Sequence, residues 1–176
     1  MKIFATNRIE IEKISINGTY YHGSTFDLES GEFDNLDSDY SDWGAVWLTS
    51  DENVAEIFAK DWNDFDDENT FPIVFKIELN VDNIADIDVN RKPEFDEYLS
   101  EMGFFDYREL ITHLKRMGYN GWETTGSIGH TYYDDVAIFG DVNINVAKIL
   151  KNGVWSDYVP IENIMDELGS NSFTSP

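Results

Sequence analysis

The order of elements in this chain predicts an α+β fold with mostly antiparallel sheet: strands first, then helices, then strands again. Three observations carry that expectation. The run "FPIVFKIEL" alternates cleanly, with Ile73, Phe75, Ile77 and Leu79 on one side and Val74, Lys76 and Glu78 on the other, as a half-buried strand does. The run "AVWLTS" is a strand of aromatic and branched residues that leads into helical spacing. After Gly118, short apolar runs punctuated by glycine mark further strands. At 176 residues, 41% of them hydrophobic, the chain is expected to be a single domain over 1–176 with a sizeable core.

Taken in order, the first segment is Lys2 to Ala5 followed by "NRIEIEKISI", where Ile9, Ile11, Ile14 and Ile16 keep no single period and give no firm element. The run "GTYYHGS" reads as a strand that ends at Gly23. Residues 27–43 are rich in Asp and Ser and read as a surface loop. A helix is expected from about Asp51 to Trp62, opened by the capping-box spacing of Thr49 and Glu52. Its apolar face is expected to be Val54, Ile57, Phe58 and Trp62. Residues 93–117 read as one or two helices, the second with a stripe of Tyr107, Leu110, Ile111 and Leu114 and a stop at Gly118. The run "YNGWETT" opens a strand, "GSIGHTYY" reads as a loop or hairpin tip, and "DDVAIFG" and "VNINVAKIL" read as two strands turning at Gly140-Asp141. A short helix in "YVPIENIMDEL" and a frayed tail over 168–176 close the chain.

The net charge is -23, which disfavours binding to nucleic-acid phosphates, because a polyanion is held by Lys and Arg that displace its counterions. Two readings of the charge remain: a solvated, solubilising face, or a surface that docks on a basic partner or mimics DNA. The acid is concentrated. Residues 27–68 hold fifteen Asp and Glu against the one cation Lys60. The segment "DWNDFDDEN" lacks the spacing of a calcium loop, and no metal is expected. With no Cys there are no disulfides or thiolate metal sites. No apolar run is long enough to span a bilayer, and "MKIFATNRIEIEK" lacks an apolar signal core. A soluble, cytoplasmic monomer is expected.

The pieces "YYHGS", "WGAVWLTSDENVAEIFA", "GYNGW" and "DDVAIF", in this order and spacing, resemble the ADP-ribosyltransferases, in particular toxin-type and phage-borne members whose first motif is His-Gly-Ser/Thr. The resemblance covers about residues 19–150. It implies a split β-sandwich with flanking helices that holds NAD in the cleft between two sheets. On that resemblance His22 hydrogen-bonds the adenine-side ribose, and the Gly23 backbone, next to Ser24, grips the nicotinamide carboxamide. Trp47 or Phe58 stacks on the nicotinamide ring, and Thr49 and Ser50 line the ribose. Asp135 takes the place of the family's catalytic glutamate, one methylene shorter. Its neighbour Asp134 faces the other side of the strand, so only one of the two serves the cleft.

The chemistry gives these groups a reason. Breaking the bond between nicotinamide and ribose builds positive charge on the ribose carbon, and a carboxylate beneath it stabilises that charge. The same carboxylate can orient the ribose 2′-hydroxyl or take the proton of the incoming nucleophile. A glycine lets backbone approach a ligand closely. No Lys or Arg sits near the first motif to meet a pyrophosphate, which leaves backbone amides or a distant residue such as Arg91.

Each residue also has a plain structural role: His22 a polar residue at a strand end, Thr49 an N-cap, Trp47 and Phe58 core, Asp135 a turn acid. His113 reads as helix surface, and His130, in its Gly-flanked loop, is a further candidate for substrate contact. The function expected first is a mono-ADP-ribosyltransferase that modifies a protein side chain, as a toxin or a phage effector against a host factor. Some anti-CRISPR proteins belong to this family, and the opening "MKIFATN" resembles one such group. The acceptor is expected to be basic or nucleic-acid-binding, drawn in by the acidic surface. The alternative is a non-enzymatic acidic DNA mimic that blocks a basic partner. An RNA 2′-phosphotransferase-like enzyme is a third reading, and the acidic surface argues against it.

Overall fold

A computed structural model describes residues 11–33, 44–61, 63, 67–86, 107–128 and 131–169. The strands are β1 (Lys13–Asp27), β2 (Glu32–Phe33), β3 (Val46–Thr49), β4 (Thr70–Asp86), β5 (Gly121–Ile128), β6 (Thr131–Ile138), β7 (Val146–Lys151), β8 (Val154–Trp155) and β9 (Val159–Pro160). The helices are α1 (Glu52–Asp61), α2 (Tyr107–Arg116) and α3 (Ile164–Leu168), with a 3-10 turn at Ile161–Asn163. The architecture is α+β, with a mixed nine-stranded sheet. The expectations for Lys2–Ala5, Trp62, Arg91, His130, the part of the 27–43 loop beyond Phe33, the first helix over 93–106 and the tail beyond 169 lie outside the described residues.

A long antiparallel ribbon organises the sheet: β1 and β4 pair from Lys13↔Ala85 to Asp27↔Thr70. β1 therefore neither starts at Thr19 nor stops at Gly23, because β4 supplies ladder bonds along its whole length. The broken isoleucine period has a cause. Register slips between Ile14↔Ile84 and Ile16↔Val81, where β4 carries an extra residue beside Asn83 at φ 60°. The ribbon's far end pairs with β7 through Ile73↔Ile149 and its near end with β5, in parallel, through Ile84↔Gly121. β5 and β6 form a hairpin, β6 pairs with β3, and β3 touches β1 at Tyr21↔Thr49. The pairings β1–β3, β3–β6, β6–β5, β5–β4 and β4–β1 thus close a circuit of five strands.

Residues opposite one another in register share a face. The inner face carries the main core: Phe75, Ile77, Leu48, Val136, Ile138 and Ile149, with Ile16, Phe26 and Ile84. The outer face is covered at two places. α2 lays Leu110, Ile111 and Leu114 on Trp122, Ala137 and Ala85, and α1 lays Ala55 and Ala59 on Val74. Val74 is thereby fully buried, so the strand expected to be half-buried is covered on both faces there.

Three expectations are corrected. The apolar face of α1 is Val54, Ala55 and Ala59, while Ile57 and Phe58 are exposed at 39% and 37%. The reason is Gly23: an added Cβ would lie 2.0 Å from the Ala55 carbonyl oxygen, so the helix lies against bare backbone and only small side chains fit between. The capping box does not form. Asp51 caps the helix by accepting from the Asn53 N–H, Thr49 accepts from the Asp51 N–H, and Glu52 turns away to Lys148. β6 and β7 are not a hairpin, because β6 lies between β3 and β5 and β7 lies beside β4. The stop at Gly118 is as expected: it sits at φ 86°, and the Tyr119 N–H bonds back to the Leu114 carbonyl.

Candidate active site

The edge of β1 that faces away from β4 is paired with β3 at Tyr21 and with β2 at Phe26 and Asp27. Between these lie residues 22–25, which pair with β4 on their other edge. This stretch holds His22, Gly23 and Ser24, the first of the sequence motifs. β3, with Thr49, Trp47 and Ser50 just after it, lies beside β1. β6 with Asp135 lies directly behind, in register Thr49↔Asp135. The three motif-bearing strands are therefore consecutive, β1–β3–β6, although about a hundred residues of sequence separate His22 from Asp135.

His22 reaches from β1 to β3. Its Nδ1–H donates to the Trp47 carbonyl at 2.5 Å, which fixes the tautomer because a carbonyl only accepts. Burial pushes the imidazole pKa down, opposed by this bond, so the ring is neutral and Nε2 is a bare acceptor. Nε2 is buried and has no hydrogen-bond partner among the described residues. An acceptor left in that state costs free energy unless a donor arrives, so it is a point where a ligand hydroxyl gains.

Asp135 lies on the outer face with Thr49, Tyr21 and Thr124, its register neighbours. Burial alone raises its carboxyl pKa to about 6. Tyr133, two residues back on the same face, is raised by burial and by the Asp135 charge. Asp134 is exposed on the inner face, where its N–H donates to the Ser50 hydroxyl at 2.8 Å. His22 also belongs to the inner face by alternation. His22 and Asp135 thus lie on opposite faces of the sheet rather than side by side.

The remaining residues fall as follows. Ser24 is buried in the core face, 2% exposed, and lines no open surface. Trp47 packs edge-on against Trp122 at 5.4 Å as part of the α2 cluster, and remains partly exposed. Thr49 is buried and its hydroxyl is engaged at the helix start. Phe58 is exposed on α1. Gly23's missing side chain serves the helix, as described.

Sequence reasoning missed two clusters. Lys148, 7% exposed, bonds Glu52 at 2.6 Å and also Glu56, while the Tyr158 hydroxyl donates to Glu52 at 2.6 Å. Burial raises the Glu52 carboxyl, but the bonds from Lys148 and Tyr158 outweigh it and hold its pKa low. The available signal was a lysine inside the apolar run "NVAKIL" and two glutamates one helical turn apart. The second cluster is Glu123 on the inner face, whose pKa is raised by burial and by Asp134 and Asp86, with Tyr20 beside it. No sequence pattern marked it. Among the described residues no group of three or more His, Cys, Asp or Glu is placed to hold a metal ion, and no helix is long and apolar enough to cross a membrane.

Compared with protein-family models, with curated proteins and with solved structures, the chain matches none.

Proposed function

We propose that this chain is a mono-ADP-ribosyltransferase that uses NAD to modify a side chain of a protein. The observation that carries the reading is that the motif residues lie on three consecutive strands, His22 and Gly23 on β1, Thr49 on β3 and Asp135 on β6, in register through Tyr21↔Thr49 and Thr49↔Asp135. The neutral His22 Nε2, buried and without a partner among the described residues, suits a ribose hydroxyl as donor. Phe58, exposed on the helix above Gly23, supplies an aromatic face for a nicotinamide ring.

The reaction breaks the bond from ribose to nicotinamide and joins the ribose carbon to an acceptor atom, whose proton is released. Asp135 acts when ionised, holding negative charge beneath the developing cation or receiving that proton. Its desolvated setting strengthens the interaction, because fewer water dipoles screen it. The surface charge of -23 steers the enzyme toward a basic target.

The test is transfer of labelled ADP-ribose from NAD in a host-cell extract, with the native chain and with Asp135→Ala. A labelled protein band that disappears in the variant supports the transferase and identifies its target. No label from either chain overturns it. The reading left would then be the stoichiometric acidic blocker, whose binding to a basic protein weakens steeply with salt.

A further inference from the structure

We infer that the Lys148–Glu52–Glu56–Tyr158 cluster is a positioning device that sets helix α1, which carries Phe58, against the Gly23 backbone of β1. The inference rests on the transferase reading for its consequence, and on the geometry of α1 alone for its cause.

α1 has a small apolar footprint. Its buried side chains are Val54, Ala55 and Ala59, and two of the three are methyl groups. The larger Ile57 and Phe58 are exposed and contribute little hold. Alanine against glycine gives close approach without interlocking knobs, so little in the apolar contact resists a slide or a roll of the helix. The directional contacts of α1 come from its other side. Lys148, on β7, stands opposite Val74 in register and rises on the outer face between Glu52 and Glu56. These two glutamates are one turn apart, so a single ammonium between them fixes both rotation and height. Tyr158, just before β9, donates to the same Glu52. Lys148 also lies over the rings of Trp155 and Tyr158, at 5.2 and 5.3 Å, which confine it laterally.

Such a cluster is a modest source of stability: Lys148 is buried, but the Glu52 and Glu56 side chains remain 37% and 20% exposed, so water screens the attraction. What an ammonium hydrogen-bonded between two glutamates supplies is a definite geometry. Here that geometry decides how far Phe58 stands from the Gly23 backbone, and a displacement on the order of 1 Å in a reacting assembly costs on the order of a hundredfold in rate.

The experiment compares the full chain with Lys148→Met, Lys148→Arg and Tyr158→Phe by amide hydrogen exchange, and then by NAD titration and transfer kinetics. The expected result is exchange in α1 that is faster by roughly tenfold in Lys148→Met, with β1, β4 and β7 protected as in the native chain. NAD affinity falls by roughly tenfold with it, and Lys148→Arg, which keeps a cation between the glutamates, restores both. Unchanged α1 exchange in Lys148→Met overturns the inference. So does a loosened α1 with native NAD affinity, which would separate the cluster from the site. If Lys148→Met fails to fold, Tyr158→Phe, which removes one hydrogen bond, is judged by the same two readings. If the native chain binds no NAD, the transferase reading fails, and the exchange data still decide whether the cluster positions the helix.

Discussion

Replacing Asp135 with asparagine should make the protein more stable at neutral pH while removing its activity. The folded carboxyl has its pKa raised from 3.8 to about 6 by burial. The native state therefore binds more protons than the unfolded state between these values, and stability falls as pH rises through that window. Above the folded pKa the full cost is present. A shift of about 2 units corresponds to about 3 kcal/mol at about 1.4 kcal/mol per unit. The amide of asparagine is uncharged but still needs hydrogen bonds, so about 1–2 kcal/mol of that should be recovered. In a chain of this length the gain reads as about 3–6 °C in Tm. The assay is thermal or urea unfolding of both chains at about pH 8 and again at about pH 4, where the native carboxyl is protonated and the difference should shrink toward zero. A variant no more stable than the native chain at the higher pH, or one with the same advantage at both, would refute the reasoning that Asp135 is held as a desolvated acid.

The same ionisation sets the pH dependence of transfer. Activity should rise with pH through about 6, since only the carboxylate stabilises a developing cation, and a profile flat from about pH 5 to 8 would exclude Asp135 from that role. Gly23→Ala should cost about 2–3 kcal/mol in urea unfolding, because the new methyl group meets the Ala55 carbonyl at 2.0 Å and neither backbone can yield cheaply. Phe58→Ala should leave stability within about 1 kcal/mol, the ring being 37% exposed, yet weaken NAD binding by calorimetry; equal affinity would remove Phe58 from the site. His22→Ala should also weaken NAD binding, and because it deletes a buried bond to Trp47 it should lower stability by about 1–3 kcal/mol as well.

Much of the fold was legible in the sequence where local physics dominates. The alternation of "FPIVFKIEL" put Ile73, Phe75, Ile77 and Leu79 in the core, and the helical stripe of Leu110, Ile111 and Leu114 packs as its spacing predicts. Gly118 stops α2 because a left-handed residue is needed there. The failures are of one kind. Ile57 and Phe58 are as apolar as any core residue, yet Gly23 on a distant strand draws the Ala face inward instead. The Thr49–Glu52 spacing fits a capping box, but Lys148 competes for the glutamate. Gly140-Asp141 looks like a hairpin turn, and the two strands around it instead join different neighbours.

By itself, then, the sequence determined the strand and helix periods, the helix stop and the candidate motifs His22-Gly23-Ser24, Thr49-Ser50 and Asp135. These depend on contacts within a few residues, where spacing fixes geometry. Only the tertiary structure decided that these motifs lie on consecutive strands, that His22 and Asp135 lie on opposite faces of the sheet, and that a buried lysine bonds two glutamates of α1. Those outcomes arise from strand pairing and charge burial between residues far apart in sequence, and no local pattern encodes which partner wins.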